Sequence, residues 1–251
     1  MLDWLLKHSR ALAFRRRFIS PLAFVRARFS PEGYLGLYLT LGALIILGAA
    51  WVFSKIAADV MASGPLTTLD AQIAAWLHQR ATPGLTRAML ALTNLHSPIG
   101  VGLMALLVAL YLLRKQRYYR LTFFLLTVSG GMLLNALLKL AFHRARPTFE
   151  HPILTLKTYS FPSGHTMAAT VFYGMLAAFA VWTWRDWRRR ALAICGAGLM
   201  ILLVAFTRLY LGAHYLSDVL AAMALGLVWL ALCLTAVDIV RRRRRQRVSH
   251  R

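Results

Sequence analysis

Six long apolar stretches constrain the fold of this sequence more than any other feature. They lie at residues 34–56, 98–113, 120–142, 166–184, 190–207 and 214–237. A helix crosses the hydrocarbon core of a bilayer with about 20 apolar residues, and most of these stretches approach that length. The second is short, so we expect it to begin earlier, near Leu90, or to cross a thinned region. The sequence therefore predicts an all-α membrane protein with six transmembrane helices in a bundle.

Basic residues predict the orientation of this bundle. Of the 30 Lys and Arg residues, 22 precede the first stretch, follow the sixth, or lie in the two connections on that same side. Cytoplasmic loops carry such an excess, so we expect both termini in the cytoplasm of a bacterium and the chain in its cytoplasmic (inner) membrane. We divide the chain into a basic cytoplasmic or interfacial segment (1–33), a six-helix transmembrane domain (34–238) and a basic cytoplasmic tail (239–251).

The strong positive charge of the chain restricts what kind of partner it can bind. A formal net charge of +22 is compatible with nucleic-acid binding, because basic chains neutralise phosphates. The run Arg241–Arg245, however, directly follows a membrane stretch, where anionic lipid headgroups favour such clusters. The apolar residues among the arginines of segment 1–33 fit an interfacial amphipathic helix or a loosely ordered tail. We therefore expect the bilayer, and no nucleic acid, as the partner.

The connection between the first two spans carries two helical patterns that Pro83-Gly84 separates. They predict two short helices on the outer membrane surface, which either shape lipid entry or cap the bundle. The chain has only eight acidic residues, too few for a cluster that holds two metal ions. Cys195 and Cys233 lack the spacing of metal ligands. We therefore expect no metal and no other cofactor.

Three short clusters carry residues suited to phosphate chemistry, and the first contains two cations. Arg146 follows Lys139 by seven residues, so two helical turns would place both on one helix face before Pro147 ends the helix. The alternative is that both side chains extend to lipid headgroups, as long basic side chains near helix ends do.

The second cluster, Pro162-Ser163-Gly164-His165, directly precedes an apolar stretch. Free N–H groups at a helix start form an anion site, and His165 would point at the anion. The alternative is a turn followed by an ordinary helix cap.

The third cluster contains Arg208, His214 and Asp218. Asp218 follows His214 by four residues, so a helix would place the carboxylate against the imidazole. A carboxylate on one ring nitrogen fixes the tautomer and leaves the other nitrogen nucleophilic. The alternative is a buried His–Asp pair with a structural role.

The predicted topology brings the three clusters together. The third and fifth spans end, and the fourth and sixth begin, on the side that the basic residues predict to be outside. We therefore expect an active site at the outer, periplasmic membrane face. Five neighbouring residues are expected in a solvated loop, with contact to the lipid headgroup as the alternative: His143, Arg144, Glu150, His151 and Lys157.

The clusters resemble the three signature motifs of the type 2 phosphatidic acid phosphatase superfamily, which includes integral-membrane lipid phosphatases and the vanadium haloperoxidases. They read Lys139-x6-Arg146-Pro147, Pro162-Ser163-Gly164-His165 and Arg208-x5-His214-x3-Asp218. One departure is Thr207, which stands where the third motif usually begins with serine and retains a hydroxyl.

The resemblance implies a metal-independent mechanism through a phosphohistidine. It implies His214 as the nucleophile, Asp218 as the residue that orients it, and His165 as the general acid. The residues implied to bind phosphate oxygens are Lys139, Arg146, Ser163, Gly164 and Arg208.

The function implied by this resemblance is the release of phosphate from a lipid phosphate or diphosphate. We favour undecaprenyl diphosphate, because an outward-facing site meets that carrier where cell-wall assembly releases it. Phosphatidylglycerophosphate, phosphatidic acid, diacylglycerol pyrophosphate and the lipid A phosphates are alternatives. Two other classes are a vanadate-dependent haloperoxidase, a branch that is typically soluble, and a non-catalytic protein that binds or translocates lipid phosphates. The last is expected to lose His214 or His165, and both are present.

Overall fold

The computed structural model describes the backbone of residues 34–249 and the side chains of residues 40–240. Every regular element within these residues is an α-helix. In chain order they are α1 (Tyr34–Met61), α2 (Pro65–Gln79), α3 (Pro83–Leu95), α4 (Pro98–Arg114), α5 (Tyr118–Phe142), α6 (Gly164–Thr183), α7 (Trp187–Tyr210) and α8 (Leu216–Ser249). The all-α prediction is confirmed for the described residues. The chain divides into two compact units between Ile45 and Ile46, and the site described below lies in the second.

Five helices are long and apolar enough to cross a membrane: α1 from Thr40, α5, α6, α7, and α8 as far as Val240. The sixth candidate is α3 together with α4, two helices that meet at an angle of 51°. The predicted second span therefore does not extend back through Leu90 as one straight helix. The chain is a multi-span membrane protein, and its described part contains five continuous candidate spans and one bent pair.

The bend between α3 and α4 has a local cause. Ser97 caps α4 by accepting a hydrogen bond from the backbone of Gly100 at 3.2 Å, and Pro98 opens the helix. Proline lacks the N–H that a continuous helix requires and fits the first helical position. The two helices approach so closely that a Cβ on Gly100 would lie 2.1 Å from the carbonyl oxygen of Leu95.

The two short helices predicted after the first span are confirmed as α2 and α3. Each has a proline in its first turn, Pro65 and Pro83 respectively. Both pack against α7, and α2 also packs against α8. Their location on the outer membrane surface stays a prediction.

Helix α6 is the most deeply buried of the five continuous spans and packs against α5, α7 and α8. Its crossing with α8 requires glycine on both helices. A Cβ on Gly174 would lie 2.4 Å from Leu230, and one on Gly226 would lie 2.7 Å from Thr170. Small residues let membrane helices approach closely, and these contacts hold the middle turns of α6 against α8.

Helix α8 continues to Ser249, so the segment predicted as a tail from residue 239 is helical as far as residue 249. That residues 239–251 form a separate basic cytoplasmic tail stays a prediction. The amphipathic helix or loose tail predicted for residues 1–33 lies outside the described residues.

Candidate active site

The three sequence clusters meet where α5 and α7 end and α6 and α8 begin. Helix α5 ends at Phe142, and His143 follows it in the left-handed conformation, with φ of 50°. Residues 143–163 then form the loop that leads to α6. The prediction that Lys139 and Arg146 share one helix face is wrong, because Lys139 lies in α5 while Arg146 lies in this loop.

Both cations nevertheless reach the same short piece of backbone. The Nζ of Lys139 donates to the carbonyl oxygen of Tyr159 at 2.6 Å and to that of Ser160 at 3.3 Å. Arg146 donates from Nε to the carbonyl oxygen of Thr158 at 2.7 Å and from Nη2 to that of Tyr159 at 3.2 Å. The carbonyl groups of residues 158–160 therefore gather two positive charges beside the third cluster. Burial lowers the pKa of the Arg146 guanidinium from its high ordinary value.

His214 and Asp218 lie close together as predicted, but they do not belong to one helix. The Nδ1 of His214 lies 3.4 Å from Oδ2 of Asp218, and both side chains are buried. Helix α8 begins only at Leu216, so His214 lies in the preceding turn and the pair does not share a helix. Asp218 lies in the first turn of α8 and accepts the backbone N–H of Tyr215 at 2.8 Å, in a position that the helix dipole favours for an anion.

The turn before His214 depends on Gly212, which has φ of +64°. A Cβ there would lie 2.7 Å from the ring of Phe149. Phe149 in turn stacks on His78 of α2, with 4.1 Å between ring centroids. The loop and α2 thus hold the turn that carries His214.

The contacts of His214 identify its tautomer. Nη1 of Arg146 lies 3.3 Å from Nε2 of His214 and can only donate. Nε2 must therefore accept, and the ring hydrogen belongs on Nδ1, which faces Asp218. Burial lowers the pKa of His214 to about 3, so the ring is neutral near pH 7. This arrangement leaves a lone pair on Nε2 directed toward the cations.

Ser160 completes the surroundings of the pair. Its fully buried hydroxyl donates to Oδ2 of Asp218 and lies 3.5 Å from Nδ1 of His214. The backbone N–H of Ser163 donates to the carbonyl oxygen of Asp218 at 3.0 Å. These contacts join the end of the loop to the first turn of α8.

The second cluster opens α6, as predicted. Ser163 is the N-cap, Gly164 is the first helical residue, and half-buried His165 follows. The first N–H groups of a helix have no partner within the helix, and together with the helix dipole they form an anion site. A Cβ on Gly164 would lie 3.2 Å from Oδ1 of Asn135, so only a residue without a side chain leaves this helix start open.

Arg208 extends from the last turn of α7 and has 2% of its surface exposed. Its Nη1 donates to the hydroxyl of Thr93 in α3. Its Nε is buried and has no hydrogen-bond partner in the described part of the chain. A buried donor without a partner costs about 1–3 kcal/mol, so this group requires an acceptor that the described residues do not supply. Thr207 donates to the carbonyl oxygen of Val204 in its own helix, at 2.7 Å.

Arg144 contradicts the prediction of a solvated loop residue. Its side chain is 12% exposed and lies between two fully buried carboxylates, 2.8 Å from Asp70 and 2.6 Å from Asp218. Its guanidinium also lies over the ring of Tyr215, 4.4 Å from the centroid. Burial opposes its charge, but Asp218 and Asp70 outweigh burial and raise the pKa of Arg144.

The other four residues expected in a solvated loop are exposed, as predicted: His143, Glu150, His151 and Lys157. Sequence reasoning missed Arg144, Ser160 and Asp70. Arg144 and Ser160 are adjacent to the first two clusters, but nothing in the sequence separates them from their exposed neighbours. Asp70 lies far from all three clusters along the chain. Among the residues that the structure describes, no group of three or more His, Cys, Asp or Glu side chains could hold a metal ion.

Comparison with known proteins places this site in a family context. Residues 120–242 match the model of the PAP2 superfamily, and this range contains all three clusters. Over 117 residues, 44% of this chain, the sequence is 37% identical to phosphatidylglycerophosphatase B of Bacillus subtilis, of whose length it covers 57%. It is also 39% identical over 127 residues to a lipid A 1-phosphatase of Rhizobium johnstonii, covering 47% of each chain. The chain thus spans about half the length of these relatives.

A solved structure resembles most of this chain. The crystal structure of a transmembrane PAP2-type phosphatidylglycerolphosphate phosphatase from Bacillus subtilis matches with a TM-score of 0.73 and 25% sequence identity. The match covers 78% of this chain and 98% of that one. The likeness therefore extends beyond the segment that the family model covers.

Proposed function

Residues 120–242 match the PAP2 superfamily, and from that premise we propose that the chain is a membrane lipid phosphatase of this superfamily in which Nε2 of His214 attacks phosphorus. One observation carries this proposal. A neutral, buried imidazole lies beside Arg146, with Nε2 facing that guanidinium, and the buried Nε of nearby Arg208 has no acceptor among the described residues. A phosphoryl group supplies both missing partners, an electrophile for the nitrogen and oxygens for the cations.

The first step forms a phosphohistidine. The lone pair of Nε2 forms a bond to phosphorus, and the bond between phosphorus and the lipid oxygen breaks. The electron pair leaves with that oxygen, which His165 protonates as general acid. Asp218 accepts a hydrogen bond from the Nδ1–H of His214 and stabilises the positive charge that develops on the ring.

The second step regenerates the enzyme. Water attacks phosphorus and gives a proton to His165, which the first step left as a base. The P–N bond breaks, its electron pair returns to Nε2, and inorganic phosphate is released. Atoms and charge therefore balance over the two steps without an added metal.

Five groups are suited to hold the phosphoryl oxygens: Lys139, Arg146, Arg208, the Ser163 hydroxyl and the Gly164 amide. Preorganised donors of this kind are worth the most when they face charge that develops in the transition state. The three cations offset the negative charge of a bound phosphate ester. In this proposal the carbonyl contacts of Lys139 and Arg146 hold these side chains ready before substrate arrives.

The substrate is proposed as a lipid phosphate or diphosphate. Names of the relatives favour phosphatidylglycerophosphate and a lipid A 1-phosphate, whereas undecaprenyl diphosphate, which we favour from the predicted outward-facing site, lacks specific support from them. We also propose that the chain lies in the bacterial inner membrane with both termini inside and the site facing the periplasm. A topology reporter fused after Arg251 tests this orientation, and a signal from outside the cell would contradict it.

Phosphate release by the detergent-purified protein tests the activity. The substrates are phosphatidylglycerophosphate, a lipid A 1-phosphate, undecaprenyl diphosphate and phosphatidic acid, each with and without excess EDTA, and His214→Ala is measured alongside. We expect release that resists EDTA and disappears in the variant. Equal rates in both proteins, or no release from any substrate, would overturn the proposal and favour a non-catalytic lipid-phosphate binder. Loss of activity with EDTA would contradict the metal-independent mechanism.

A further inference from the structure

We propose that Asp70 and Arg144 form a charge-setting pair that controls the basicity of His214 through Asp218. This inference rests on the proposed function, because it assigns the pair a positioning role in that same reaction. Arg144 occupies one of the unassigned positions of the first motif, and Asp70 lies in α2, outside the segment that matches the family model.

The contacts of the pair run in one unbroken line. Nη2 of Arg144 lies 2.8 Å from Oδ2 of Asp70, and its Nη1 lies 2.6 Å from Oδ1 of Asp218. The other carboxylate oxygen of Asp218 faces Nδ1 of His214. Asp70 is held in turn by Ser217, whose backbone N–H donates to Oδ1 at 2.9 Å and whose hydroxyl donates to Oδ2.

The role of the pair follows from the charges of Asp70, Arg144 and Asp218. Arg144 alone would neutralise Asp218, since the two form a close and nearly dry ion pair. His214 would then face a group with no net charge on its Nδ1 side, and the positive charge that develops on the ring would lose its partner. Asp70 cancels the charge of Arg144, so Asp70, Arg144 and Asp218 together carry one negative charge. In a buried site with little water, that difference acts strongly on the imidazole.

A purely structural role makes a different prediction. If the pair only anchors α2 and the loop, each loss of a partner weakens the fold, and losing both is at least as harmful as losing one. If the pair sets charge, removing both members restores the single negative charge on Asp218. The double variant is therefore more active than Asp70→Asn alone.

The test uses four purified variants of the full chain and wild type: Asp70→Asn, Arg144→Gln, the double variant and Asp59→Asn. The last is the matched control, because Asp59 accepts the backbone N–H of Leu66 at 2.9 Å and so anchors the same helix, α2, by another carboxylate. For each protein we measure kcat and KM of phosphate release, the inhibition constants of vanadate and inorganic phosphate, and thermal unfolding.

We expect Asp70→Asn to lower kcat about tenfold, which is the size of effect found for residues coupled within one buried network. KM should change less than about twofold. Vanadate, which can bond to Nε2 in a geometry like the transition state, should bind more weakly by a similar factor, while inorganic phosphate should not. The double variant should recover most of the lost kcat, and Asp59→Asn should match wild type.

A double variant as slow as Asp70→Asn, or slower, would overturn the inference, as would wild-type kcat in Asp70→Asn. Wild type without His214-dependent release would overturn the proposed function as well, so the two failures are distinguishable. If Asp70→Asn does not fold, Arg144→Lys decides, because it keeps the charge and loses the planar fork. A kcat within about threefold of wild type then supports charge setting, and a hundredfold loss at unchanged thermal stability overturns it.

Discussion

Nη1 of Arg146 lies 3.3 Å from Nε2 of His214, so a cation from the loop contacts the nitrogen that we propose as nucleophile. The same guanidinium is held by the carbonyl oxygens of Thr158, Tyr159 and Ala213. Arg146 therefore keeps the free nitrogen unprotonated before substrate binds and, in the proposed mechanism, turns to a phosphate oxygen afterwards.

Replacing Arg146 by lysine should lower kcat by about a hundredfold. Lysine keeps the charge, but its single ammonium cannot reproduce the planar fork that bridges the loop carbonyls and the imidazole. The matched control is Lys157→Ala, which removes an exposed basic side chain from the same loop. Phosphate release from the preferred lipid measures both. Comparable rates in the two variants would contradict the role given to Arg146.

Replacing Asp218 by asparagine should lower kcat about ten-thousandfold, as loss of the carboxylate partner does in other His–Asp pairs. An amide NH2 facing Nδ1 favours the tautomer with hydrogen on Nε2, which removes the nucleophilic lone pair. Asp186→Asn is the control, since Asp186 also caps a helix, by accepting the N–H of Arg188 at 3.0 Å. Similar losses in both variants would point to helix capping rather than chemistry.

Replacing Ser160 by alanine should lower kcat about tenfold, because Asp218 loses a hydrogen bond to a charged group. The fold should persist, since the change removes one buried oxygen and leaves the backbone contacts of Ser160 in place. Ser129→Ala removes a hydroxyl that donates to the carbonyl oxygen of Leu125 on an exposed helix face, and it should have no effect. Unchanged turnover in Ser160→Ala would remove that serine from the mechanism.

The stability of the protein should fall in acid because of His214. Burial lowers its pKa from 6.5 to about 3, so between these values the unfolded chain binds a proton that the folded chain does not. Stability therefore decreases as the pH drops through this window. We expect this residue to account for a loss of about 2 kcal/mol between pH 7.5 and pH 5. Thermal unfolding at both pH values should show a smaller decrease in His214→Asn, and equal decreases would contradict the assigned neutral, buried ring.

The sequence was sufficient to predict the helices and the meeting of the three clusters. Helical spans follow from local apolar runs, and antiparallel spans necessarily return their ends to the same side. The position of Lys139 and the helix start at Gly164 follow from these local rules, whereas the His214–Asp218 contact forms without the shared helix that was predicted, because α8 begins only at Leu216. Lys139 and Arg146 do not share a helix face, because the helix ends at Phe142. They come together because both side chains bind the carbonyl groups of residues 158–160.

The loop could not be predicted in the same way. Arg144 and His143 are adjacent basic residues of similar character, yet one is buried between carboxylates and the other is exposed. What separates them is Asp70, a residue more than seventy positions away along the chain. Such long-range pairing leaves no periodic trace, because it depends on the packing of α2 against α8. The bend before Pro98 was not predicted, although proline favours a helix start at that position. The two helices meet where Gly100 lies close to Leu95.

The angle between α3 and α4 brings Thr93 to the guanidinium of Arg208. A residue of the chain before the matched family segment therefore helps to hold Arg208 in the site. A chimera that joins the first half of a relative to the second half of this protein would inherit the complete set of motifs and still hold Arg208 differently. Exchange of these early helices would therefore change the support of Arg208 while the residues of the three motifs stay the same.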